Sequence, residues 1–154
     1  MNRGIYRLRD FPASPHEDLV YWSLWSGEKA VVSHESAAAV HDLGDLLPGR
    51  IHLTVPPAFR KTALEGVILH RGRLEESDLE SHEGFRITKP LQTIIDLLIS
   101  GTESDWLAGV IRDALNKGAV TRTALDARIA ALSPEYRDRA ERILKHVEGP
   151  ARAV

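Results

Sequence analysis

Three blocks between residues 33 and 96 decide how this chain folds: Ser33-His34-Glu35-Ser36-Ala37-Ala38-Ala39-Val40, Ile51-His52-Leu53-Thr54-Val55-Pro56 and Thr88-Lys89-Pro90-Leu91-Gln92-Thr93-Ile94-Ile95-Asp96. The first reads as a helix with Ser33 at its N-cap, where a side-chain oxygen accepts from a free backbone amide of the first turn. Ser36 stands where a full capping box carries Glu, so that cap is partial. The alanine run gives high helix propensity and lets a neighbouring element approach closely. In the second block Ile51, Leu53 and Val55 face one way while Arg50, His52 and Thr54 face the other, the period-two signature of a strand, and Pro56-Pro57 stops it. The third turns helical, with Thr88 as cap, Pro90 in the first turn, and Ile94, Ile95, Leu98 and Ile99 as the buried stripe.

Outward from these blocks, Gly4-Ile5-Tyr6-Arg7-Leu8 alternates as a short strand. Ser14 caps a helix that Pro15 opens and that runs to about Ser26, with Leu19, Tyr21, Trp22 and Trp25 on its apolar side and Gly27 at its end. Val31-Val32 is a short apolar step into the first block. Residues 66–70 read as a second strand of the sheet and 83–87 as a weaker third. Beyond the third block, helices are predicted over 104–117, closed by Gly118, over 121–132, capped by Thr121, and from Ser133-Pro134 onward, with Tyr136, Ala140, Ile143, Leu144 and Val147 at helical spacing. Residues 149–154 are expected to fray. The fold class is therefore α+β: a small antiparallel or mixed sheet flanked by helices, followed by a C-terminal helical bundle. One domain is expected over 1–154, with a mixed part (1–88) and a helical part (89–148).

The 154 residues are 43% apolar and 27% charged, the balance of a soluble globular chain. Without cysteine the protein has no disulfide or thiolate chemistry, and zinc would have to rely on histidines and carboxylates. The N-terminus lacks the apolar core of a signal peptide, and the longest apolar run (91–99) is interrupted by Gln92, Thr93 and Asp96. A cytoplasmic protein with no membrane contact is expected. The formal net charge of −2 argues against a globally basic nucleic-acid binder. Locally, however, Arg50, Arg60, Lys61, Arg71 and Arg73 precede an acidic block of Glu75, Glu76, Asp78, Glu80 and Glu83, a pairing that gives a dipolar surface.

Few residues are arranged for covalent chemistry. His34 and His41 lie seven apart on one helix, about 10 Å along its axis, too far for one metal. Ser33-His34 looks like a nucleophile and its base, but adjacent side chains rarely face each other, and the N-cap role explains Ser33 more simply. Asp96 interrupts an apolar helix and needs a partner such as Arg86, Lys89 or a backbone donor. No catalytic residue, metal site or cofactor is expected. The candidate binding residues are His34, at the start of its helix with its imidazole toward a groove, and Arg50, His52, His70 and Arg71, which with Thr54 make a polar platform across two strands that suits phosphate or acidic side chains; the platform's alternative is the wet face of an antiparallel sheet. No aromatic residue interleaves the basic ones, so base stacking is unsupported.

Taken together, Gly4-Ile5-Tyr6-Arg7-Leu8, the Ser33 and Ile51 blocks, and Thr88-x-Pro90-x-x-Thr93-Ile94-Ile95-Asp96 resemble the AbiEi family of antitoxins from bacterial type IV toxin–antitoxin systems. The resemblance extends to about Leu132 and rests on the order and spacing of the blocks. It implies a non-enzymatic antitoxin that counteracts a nucleotidyltransferase-type toxin, with the toxin or its target as partner. Family members usually begin with a winged helix-turn-helix that binds the operon promoter and leads into a segment like that at Gly4. This chain starts near that segment, so the DNA reader is expected to be missing. A DNA-binding regulator using the basic surface around Arg50 to Arg73, with nucleic acid as partner, is the alternative. Without the winged domain to cover them, Tyr21, Trp22 and Trp25 are expected to form an exposed aromatic patch that favours self-association.

Overall fold

A computed structural model describes residues 16–45, 47–62 and 65–148. The strand expected at Gly4, the Ser14 cap and the 149–154 tail lie outside these residues. The elements run α1 (Glu17–Trp25), β1 (Val31–Val32), α2 (His34–Val40), β2 (Ile51–Val55), β3 (Val67–Arg71), β4 (Leu79–His82), β5 (Phe85–Thr88), α3 (Pro90–Ser100), α4 (Ser104–Asn116), α5 (Arg122–Ala130) and α6 (Pro134–Glu148). The protein is α+β, as its sequence predicts.

Five strands form one mixed sheet in the order β3-β2-β1-β5-β4. The Val31-Val32 step is its central strand, antiparallel to β2 and parallel to β5. β3 runs parallel to β2, while β4 and β5 pair antiparallel. The sequence reading expects three strands here and misses two: β1, read only as a short apolar step, and β4, because Leu79-Glu80-Ser81-His82 carries one apolar residue and sits in an acidic block.

Alternation sorts the side chains onto two faces. Val32, Leu53, Val55, Phe85 and Ile87 bury themselves with Leu19, Tyr21 and Trp22 of α1. Tyr21 and Trp22 are therefore inside, and Trp25 is half-buried against Phe59 with Lys61 Nζ 5.2 Å from its ring centroid. The expected exposed aromatic patch does not form, because the sheet itself covers these rings. Ala38 and Leu43 lead into a second core, where Ile94, Leu97 and Leu98 of α3 pack with Leu107, Val110, Leu125 and Ile143 of the three helices that follow. Close helix approach at Gly44 (φ +67) leaves no room for a side chain: a Cβ there would lie 2.7 Å from Val110 Cγ2.

Two expected caps take other roles. Thr121 does cap α5, accepting from the Ala124 amide at 3.1 Å. Thr88 instead ends β5; Lys89 holds the N-cap position of α3, and the Thr88 hydroxyl bonds that of Thr93 at 2.7 Å. Ser33 holds the N-cap position of α2, but its hydroxyl makes no bond to the helix amides.

Candidate functional site

The Ser33 hydroxyl is engaged elsewhere because the next residue has an unusual backbone. His34 begins α2 at φ +54, a left-handed conformation that costs energy for a non-glycine residue and marks a position held by its surroundings. Its ring lies beside its neighbour, with Nδ1 2.8 Å from Ser33 Oγ. The expectation that these adjacent side chains do not meet is thus corrected. Thr54 Oγ1 donates to Ser33 Oγ at 2.7 Å, leaving the Ser33 proton for His34 Nδ1. This chain of hydroxyls fixes His34 with its own proton on Nε2.

His34 stacks on His70 with centroids 3.6 Å apart and planes 11° from parallel. His52 joins through Nδ1, 3.0 Å from His70 Nε2. Their centroids are 5.3 Å apart, longer than the nitrogen separation by about one ring width, so the nitrogens meet in line as a hydrogen-bonded pair rather than bending toward a shared metal. Among the described residues no group of three or more histidines and carboxylates is placed to hold a metal ion. Glu35 Oε1 stands 3.5 Å from His52 Nδ1 and favours the proton on that atom, which makes His52 the donor to His70. The β2 backbone is fastened to the same helix, since the His52 amide donates to Ser36 Oγ at 2.9 Å.

Burial decides the charge of this cluster. Desolvation, aided by the nearby His70 and His52, pushes His34 down from 6.5 to about 3, so it is neutral at physiological pH. Burial also lowers His52, opposed by Glu35 and reinforced by Arg50. His70 is lowered by burial and by His52, with Glu35 opposing. The polar side of β2 is not the wet face of an antiparallel sheet: Thr54 is 6% exposed, and β2–β3 is parallel.

Of the five candidate binding residues, His34, His52 and His70 come together; Arg50 and Arg71 stay outside. Arg50 is exposed and lines a cleft of about 310 Å³ beside α2 with Leu47, Pro48 and Ile51. Arg71 falls on the opposite face of the sheet, where its Nη2 donates to the Phe59 carbonyl at 3.3 Å. Lys61 Nζ is on that side too, donating to the Trp25 carbonyl at 2.5 Å. The basic run from Arg50 to Arg73 is therefore split between surfaces, and no single cationic stripe results. Two of the five acids in the acidic block are also paired locally, Glu76 with Arg86 at 3.0 Å and Asp78 with Arg128 at 3.4 Å.

Thr54 links the histidines to a cleft of about 490 Å³ on the same face, lined also by Val31, Pro56, Lys29, Arg73 and Arg86. Its volume lies in the range of small-ligand sites. The sequence places Thr54 on the strand face of His52, as observed, but sequence reasoning missed Glu35 and Ser36 as partners of the histidines. Their signal was present: both follow His34 within two residues.

Asp96 finds a partner other than those expected. Gln92 Nε2, one turn earlier, donates to Asp96 Oδ1 at 2.8 Å, and Arg128 Nη2 bonds Gln92 Oε1 at 2.5 Å. Asp96 Oδ2 is buried with no hydrogen-bond partner. Burial, opposed by Gln92 and Arg128 and aided slightly by Asp78, lifts this carboxyl from 3.8 to about 6.

A crystal structure of the RV2827C protein from Mycobacterium tuberculosis has a similar fold, with a TM-score of 0.64 at 18% identity. The match covers 92% of this chain and 56% of that one, so the chain spans just over half of that protein's length. At this identity the likeness bears on the fold alone. No protein-family model matches the chain, and no curated protein matches it. Among the described residues, no helix is long and apolar enough to cross a membrane.

Proposed function

We propose that this chain is an AbiEi-type antitoxin module, a non-enzymatic cytoplasmic regulator that counteracts a nucleotidyltransferase-type toxin by acting on the toxin or on its target. One observation carries the reading. Of the four blocks behind the AbiEi resemblance, the three within the described residues are brought together: Ser33 bonds Thr54, Ser36 bonds the His52 amide, and His41, which follows the first block on the end of α2, donates through Nε2 to the Thr88 carbonyl at 2.8 Å. A sequence pattern whose members meet in space describes a single built feature rather than scattered helix caps.

The chemistry where they meet favours recognition over catalysis. Ser33 Oγ is fully buried and already occupied by Thr54 and His34, so it is not offered to a substrate. His34 is buried, neutral and held in one tautomer, so it fixes the positions of His70 and, through it, His52. Co-expression with a nucleotidyltransferase-type toxin of a type IV toxin–antitoxin system tests the proposal. Rescue of growth is expected, and continued growth arrest in the presence of folded protein refutes it.

A further inference from the structure

The outer edge of β3 has a defined hydrogen-bonding parity. The Ile51 amide donates to the Gly66 carbonyl and the Gly72 amide to the Val55 carbonyl, which with the parallel register turns the backbone groups of residues 66, 68, 70 and 72 toward β2. The N–H and C=O of Val67, Leu69 and Arg71 therefore point away from the sheet. β3 pairs with β2 alone, and among the described residues no other backbone segment bonds to these groups. The described residues of the crossover before β3 make no backbone hydrogen bond to the edge; they are tied to α1 through Lys61 to the Trp25 carbonyl and Phe59 against Trp25.

Exposed edges usually carry protection such as proline, a bulge or an inward charge. β3 pairs with β2 in unbroken register, and its Val67, Ile68 and Leu69 are apolar and only half-buried. We propose that this edge pairs with the same edge of a second copy of this chain, antiparallel and centred on Leu69.

That register follows from parity and charge. It sets Leu69 opposite Leu69 and Val67 opposite Arg71 at both ends, all outward-pointing residues, so three pairs each exchange two backbone hydrogen bonds. One step further out Gly66 meets Gly72, and then Glu65 meets Arg73 of the other copy. Both Glu65 and Arg73 are exposed, and neither makes an ion pair among the described residues. Centring on Arg71 instead opposes two arginines, and centring on Val67 sets Glu65 against Leu69. The Leu69 register also lays Ile68 of one copy beside His70 of the other. The result is a two-fold interface in which the same patch serves both subunits.

Light scattering on the 154-residue chain over a dilution series tests this. The expected outcome is a concentration-dependent dimer at twice the chain mass of 17.1 kDa. Leu69→Pro leaves the β2 ladder intact, because the Leu69 amide faces outward, and is expected to abolish dimerisation. Glu65→Arg is expected to weaken the dimer about tenfold by opposing two like charges at each end. Adding Arg73→Glu to it restores the wild-type constant. These surface charges keep the test valid should the proline variant misfold. A chain that stays monomeric at every concentration overturns the proposal and leaves the edge to an extended strand of another protein. A dimer indifferent to charge reversal overturns it too.

Discussion

His34 is the residue whose titration matters most to stability. It is neutral in the folded protein until about pH 3, but in the unfolded chain it takes up a proton near its ordinary 6.5. Between these values the unfolded state binds more protons, so stability falls as pH falls, by about 1.4 kcal/mol per unit once well below 6.5. At pH 5 the loss from this one group is about 2 kcal/mol relative to pH 7.5. His52 and His70 are shifted in the same direction and add to it. The comparison that isolates His34 is His34→Asn. Asparagine tolerates the left-handed φ of +54 and keeps a polar group beside Ser33, but it does not titrate. Urea unfolding followed by tryptophan fluorescence at pH 7.5 and pH 5 gives both stabilities. With a slope near 2 kcal/mol per molar urea for a chain of this size, the wild-type midpoint should drop by about 1 M more than that of the variant. Parallel pH dependence in the two proteins would refute the buried neutral stack.

Other perturbations have equally definite signs. Asp96 is shifted the opposite way: its contribution is present below 3.8 and lost as pH rises through about 6, so Asp96→Asn should raise stability by about 1–3 kcal/mol at pH 7.5 and leave it unchanged at pH 4, as read by thermal melts. Ser33→Ala and Thr54→Val should each cost about 1–3 kcal/mol by stranding buried polar partners, and the double variant clearly less than the sum; additive losses in a chemical-denaturation cycle would rule out the hydroxyl chain. Gly44→Ala forces a side chain into Val110 and Trp106 at a positive φ, and should lower stability by about 2 kcal/mol or more in the same assay; a neutral effect would contradict the close approach.

The sequence speaks clearly where one physical signal acts alone. The periodicity of Ile94 and Leu98 and the stripe of α6 foretell much of the helical part, because burial of one helix face governs it. Thr121 caps as its position suggests, since nothing competes for its hydroxyl. Ser33 and Thr88 look the same in sequence, but tertiary partners win their hydroxyls: His34 and Thr54 in one case, Thr93 in the other. The histidine cluster was half legible. His34, His52 and His70 stand out as residues, yet their meeting depends on β3 lying parallel to β2, which strand patterns do not encode. Arg71 was misplaced by one step of the pleat, and that step sends it through to the other face. β1 escaped recognition as a strand because two valines carry no measurable alternation.

That brevity has a mechanical meaning. In the backbone ladder, β2 and β3 on one flank and β5 and β4 on the other meet only through Val31 and Val32, each flank pairing with this waist at two residue pairs. A longer central strand would spread a load over many amides; here the short ladder shares it with the Ser33 amide on the His52 carbonyl, with His41 on the Thr88 carbonyl and with the core under α1. The histidine stack lies wholly on the β2–β3 flank with the start of α2, and α3 follows from the other. The sheet is thus two plates with a short weld, braced beside it by Ser33 and α2.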